Sequence, residues 1–119
     1  SETTVIREPE RIETLASLLP DIGSSRARQF AFECACSRIE PEFFARLPDE
    51  KQVVFGLVDI GCTVVEEAER IAEKIRHAAN VLGQDRVWAG PDCGLVWLPM
   101  ETARAKLRAL VEGARMASR

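Results

Sequence analysis

The run Val53-Val54-Phe55-Gly56-Leu57-Val58 is almost continuously apolar, and it constrains the fold more than any other stretch of the chain. A strand with one wet face alternates polar and apolar residues. A strand that is apolar on both faces needs cover on both, and that is the pattern of parallel sheets. The surrounding sequence agrees, because four helical patterns alternate with three strand-like runs. Such an order implies parallel strands joined by right-handed crossovers.

The elements are expected as follows. Glu8-Pro9 opens a first helix, with Ile12, Leu15, Leu18 and Leu19 as its apolar face and Pro20 as its stop. Gln29–Cys34 reads as the first strand. A short helix opens at Glu40-Pro41, carries Phe43, Phe44 and Leu47, and stops at Pro48. After the second strand, Thr63 and Glu66 match a capping box at the start of the longest helix. Ala68, Ile71, Ala72, Ile75, Ala79 and Leu82 form its stripe, and Gly83 suits its C-terminus. Arg86–Gly90 is the third strand. A last helix, from about Glu101 to Ser118, is expected to bury Ala103, Leu107, Leu110, Val111 and Ala114.

Three parallel strands leave two edges and ask for more cover than this chain supplies. Residues 1–119 are therefore expected to be an incomplete piece of a larger α/β sheet or barrel. The length suggests one domain, and 46% apolar with 29% charged residues is the balance of a soluble globular protein. A formal charge of -3 argues against nucleic acid as a partner. No apolar stretch approaches the roughly 20 residues that span a bilayer, so no membrane role is expected. No basic-then-apolar segment marks secretion, and the four cysteines are expected as reduced thiols in a cytoplasm.

Each strand delivers polar residues at its C-terminal end, the face where parallel α/β proteins bind ligands. These are Glu33, Cys34 and Cys36, then Asp59 and Cys62, then Asp92 and Cys93 in the motif Pro91-Asp92-Cys93-Gly94. Thiolate and carboxylate together are a plausible zinc shell. Cys34 and Cys36, two apart, share one side of a strand opposite to Glu33 and read as packing residues. Cys62 reads as a small residue in a turn. Asp59 is either a general base or a partner for loop N–H groups. Glu33 on spacing alone is as much a strand-end carboxylate, solvated or paired with Arg38, as a zinc ligand. His77 is expected on the surface without chemistry, Trp88 and Trp97 in packing, and the charges of Glu66–Arg76 on a solvated helix face.

Phe32-Glu33 followed by Arg38, then Val54–Asp59, Gly90–Leu95 and Lys106–Arg115 resemble, in order and spacing, the C-terminal end of the cobalamin-independent methionine synthase superfamily. The resemblance covers about the last ninety residues. The Leu82–Val87 segment and the ending look closer to the short, single-barrel members. It implies an α/β fold that is the C-terminal part of a TIM (β/α)8 barrel, about three parallel strands with four helices. It also implies a zinc-dependent methyl or alkyl transferase that activates a homocysteine-like small-molecule thiol as a zinc-bound thiolate. By position Glu33 and Cys93 correspond to zinc ligands, Asp59 to a catalytic position and Arg38 to a family arginine, in substrate contact or in an ion pair. The family's His-x-Cys ligand pair has no counterpart here, and Gly61-Cys62 stands where the long synthases carry a histidine. The remaining ligands are thus expected from the rest of the barrel or a second copy of the chain. The contrasting expectation is a non-catalytic fragment or subunit that completes another polypeptide.

Overall fold

The structure is a computed structural model that describes residues 12–119, and the expected helix start at Glu8-Pro9 lies outside them. Three parallel strands, β1 (Gln29–Phe32), β2 (Gln52–Val58) and β3 (Val87–Pro91), form one sheet in the order β1-β2-β3. Three α-helices accompany them: α1 (Ile12–Ser24), α2 (Ala68–Leu82) and α3 (Met100–Ala117). The fourth expected helix is a single 3-10 turn, Pro41–Phe44, and a second such turn, Gln84–Arg86, leads into β3. Strand β2 sits centrally, pairing Phe32 with Phe55 on one side and Val53 with Val87 on the other.

One face of the sheet meets the helices. Phe32, Val53, Phe55 and Leu57 point into it, with Phe44, Leu19, Leu47, Ile71, Ala78, Leu82 and Leu110. Phe44 is fully buried, 4.7 Å from the Phe32 ring and edge-on to Phe55 at 5.3 Å. Side chains alternate along a strand, so the row Ala31, Val54 and Trp88, linked by the strand register, lies on the other face. Among the described residues nothing covers that row. Ala31 is exposed and Trp88 is 53% exposed, its indole N–H donating to Gln52. Trp97 is 74% exposed as well, so neither tryptophan packs as expected.

Several elements differ from the sequence reading for physical reasons. Helix α1 runs through Pro20 instead of stopping there, because Leu19 is buried and Ile22 packs against the core beyond it. Strand β1 ends at Phe32, and the chain turns at once, with the Cys34 N–H bonded to the Phe32 carbonyl at 3.0 Å. The Thr63–Glu66 capping box does not form. Helix α2 starts at Ala68, with Glu67 as N-cap and no side-chain cap, because Glu66 serves other partners. Gly83 does end α2, at a φ of 102° that favours glycine.

Helix α3, not α2, is the longest, and it buries Ala103, Lys106, Leu110 and Gly113. Leu107 and Val111 face outward at 40% and 49% exposure, against expectation. The reason is a close approach: a methyl group on Gly113 would sit 2.5 Å from the Ile71 side chain and 2.9 Å from the Ala68 carbonyl. This contact fixes the rotation of α3 against α2. Lys106, wholly buried, then reaches the β2–α2 loop, where its ammonium meets the Val64 carbonyl and Glu66 at 3.0 Å. No described helix is long and apolar enough to cross a membrane.

Candidate functional site at the strand ends

The C-terminal ends of the three strands are joined by one side chain, Asp92. It follows β3, is 9% exposed, and its two carboxylate oxygens accept the Ala35 N–H at 3.0 Å and the Cys36 N–H at 2.8 Å. Those amides belong to the loop after β1, so the carboxylate reaches across the end of β2. Gly56 leaves the room for it. A methyl group there would lie 2.2 Å from an Asp92 oxygen, 2.8 Å from its Cα and 2.8 Å from the Phe32 carbonyl. The strand pairing shifts register between Gly56 and Val58 at the same point, where the Asp92 N–H bonds the Val58 carbonyl at 2.9 Å. Glycine inside a strand commonly marks such a close approach.

Burial pushes the Asp92 carboxyl above the usual aspartate range, against the two amides that favour its charged form. Asp59 and Glu33 add to the upward push, so all three strand-end carboxylates act on one neighbourhood. Glu33 is half-buried and Cys93 is exposed. Asp92 therefore ties the segment carrying Glu33 to the segment carrying Cys93. Within the described residues these two do not belong to any cluster of three candidate metal ligands.

The remaining expected residues are dispersed. Asp59 accepts the Gly61 N–H at 2.7 Å, receives the Cys62 thiol at 3.5 Å, and donates its own N–H to Glu66 at 2.8 Å. Its carboxylate organises its loop, and Cys62 sits in that turn. Burial raises the Cys62 thiol pKa. Cys34 is buried in the core, and desolvation pushes its thiol up to about 12. Cys36 is only half-buried, so the two do not share one environment. Arg38 holds a left-handed backbone, φ 53°, and lines a cavity whose walls include neither Glu33 nor Cys93. His77 is on the surface but is not idle: it meets Glu42 at 2.6 Å. Sequence reading missed Lys106 and the bridging role of Asp92. The legible signals were a lysine spaced between Ala103 and Leu110 on one helix face, and a glycine inside an apolar strand.

Residues 15–116 match the family described as cobalamin-independent synthase, catalytic domain. The chain belongs to this family. Family relatives include a methionine synthase of Methanothermobacter marburgensis, 40% identical over 65 residues, which span 55% of this chain and 21% of that protein. A 2-hydroxypropyl-CoM lyase of Xanthobacter autotrophicus is 37% identical over 70 residues, 59% of this chain and 19% of the lyase. The chain thus spans about one fifth to one third of the length of the curated relatives it matches. A B12-independent methionine synthase from a Shewanella species, solved with selenomethionine, superposes over 96% of this chain and 37% of its own at a TM-score of 0.79. At 24% identity that likeness establishes the fold. The family member described here is an α/β protein with the architecture of part of a TIM barrel, and its strand ends correspond to the barrel face where such folds build their sites.

Proposed function

We propose that the chain supplies Glu33 and Cys93 as two ligands of a zinc centre in a cytoplasmic alkyltransferase that transfers a methyl or alkyl group from a small-molecule donor to a small-molecule thiol. The observation that carries this reading is the Asp92 bridge over Gly56, which holds the two ligand-bearing segments together at one end of the sheet. A carboxylate oxygen and an exposed thiol are donors that zinc accepts, so the residues present fit the metal. When bound, zinc supplies Lewis acidity that lowers the pKa of a substrate thiol toward neutrality. Within this chain Glu33 and Cys93 would hold the metal, and Asp59 keeps the adjacent loop in place through the Gly61 N–H and the Cys62 thiol. The other ligands come from residues outside this chain, in the remainder of the barrel or a second copy.

A second reading is a non-catalytic subunit that completes another polypeptide's barrel. The uncovered row of Ala31, Val54 and Trp88 favours it, since a parallel sheet with one bare face gains by association. Zinc analysis separates the two. The chain alone should retain little metal, and a mixture with a family segment carrying the His-x-Cys pair should retain one zinc per complex. Cys93→Ser should remove it. A complex that forms without metal would leave only the second reading, and no complex at all would refute both.

A further inference from the structure

The crossover from β1 to β2 contains one 3-10 turn where a barrel would ordinarily place a helix. A cavity of about 520 Å³ remains beside that turn, against the helix-covered face of β2. Its size is that of a site for a small organic molecule, commonly about 300–1,000 Å³. Phe55, Leu57, Ile39 and Pro41 give it apolar walls. Cys34 adds to them as a neutral thiol, so the cavity lacks a nucleophile there.

The polar groups of the cavity come from two directions. Arg70, Glu73, Lys74 and His77 line it from α2 at spacings i, i+3, i+4 and i+7, one continuous helix face. Arg38 and Glu40 line it from the loop after β1. Arg70 is committed to Glu73 at 3.0 Å and His77 to Glu42 at 2.6 Å. Arg38 and Lys74 are then the uncommitted cations of the cavity among the described residues. Arg38 is also the one described non-glycine residue with a positive φ. A left-handed arginine is a conformation that costs stability and that glycine would adopt freely, and such strain gathers at functional positions.

We propose that this cavity binds a small organic anion, with an apolar body against Phe55 and Leu57 and a carboxylate or phosphate head between Arg38 and Lys74. The site is separate from the strand-end residues Glu33 and Cys93 and does not depend on zinc. Nuclear magnetic resonance of the ¹⁵N-labelled full chain tests it, with benzoate, phenyl phosphate and uncharged benzyl alcohol as probes. At least one anion should shift the amides of Arg38, Leu57, Lys74 and His77 saturably, and benzyl alcohol should not. Whichever anion binds more tightly identifies the head group. Lys74→Gln should weaken binding about tenfold, the scale of one charge-assisted hydrogen bond.

Arg38→Gly separates binding from folding. It relieves the left-handed strain, so the variant should melt no lower than the parent while binding the anion about tenfold more weakly. Absence of saturable shifts with either anion overturns the proposal. So does unchanged affinity in both variants, or benzyl alcohol binding as well as the anions.

Discussion

Gly56→Ala probes the junction on which the strand-end site rests. The added methyl would lie 2.2 Å from an Asp92 carboxylate oxygen, and 2.8 Å from both the Asp92 Cα and the Phe32 carbonyl. Two of those three atoms are backbone, so a rotamer change alone does not relieve the contact. Overpacking of this kind costs about 1–3 kcal/mol. If the carboxylate is pushed aside, the Ala35 and Cys36 amides lose a charged acceptor, and such bonds are worth about 1.5–3 kcal/mol each. A destabilisation of about 3 kcal/mol or more is expected, a large part of the 5–15 kcal/mol that holds a typical domain.

Urea unfolding of Gly56→Ala, Asp92→Ala and the double variant forms a cycle that isolates the cause. With the carboxylate gone, the nearest contact disappears while the two backbone contacts stay. The glycine substitution should then cost about 1–2 kcal/mol less in the Asp92→Ala background than in the parent. Additivity within about 0.5 kcal/mol would mean that the methyl never acts on Asp92. A Gly56→Ala protein as stable as the parent would refute the close approach itself.

Lys106→Ala should destabilise the chain by about 3–5 kcal/mol in the same assay, because it leaves Glu66 half-buried without the cation that joins α3 to the β2–α2 loop. The Asp59 N–H, bonded to Glu66, should show an altered amide signal in that variant. Cys34 gives a pH prediction. Its thiol is raised from 9.0 to about 12 mainly by burial, so the folded state resists ionising it. The stability contributed by the neutral thiol is fully present below pH 9 and is lost as pH rises towards 12, by at most about 1.4 kcal/mol per pH unit. Cys34→Ala should therefore lose less stability than the parent between pH 9 and 11 when urea midpoints are compared.

Parallel strands alternating with helices were legible because that pattern rests on local periodicity. The almost unbroken apolar run of β2 announced a parallel strand, and the structure adds that it is the central one, paired on both sides. The misreadings arose where a tertiary partner outweighed a local motif. Glu66 is three residues after Thr63, which is the capping spacing, yet a buried ammonium and the Asp59 N–H claim both of its oxygens. Leu107 and Val111 have helical spacing for a buried stripe. The close contact of Gly113 with Ile71 turns α3 so that Lys106 goes inward instead.

The strand-end site shows the same division. That Glu33, Asp59, Asp92 and Cys93 follow strands could be read from sequence, since parallel strands place their C-termini together. Which of them touch could not. Contact there depends on the absence of a side chain at Gly56, which admits Asp92 across a neighbouring strand to the amides of a third segment. The charged residues of α2 posed the opposite problem. Their spacing is that of any solvated helix face, and the lack of an α-helix in the β1–β2 crossover leaves that face beside a cavity. A gap left by a missing helix has no sequence signature of its own. The one local trace is Arg38, an arginine held where the backbone favours glycine.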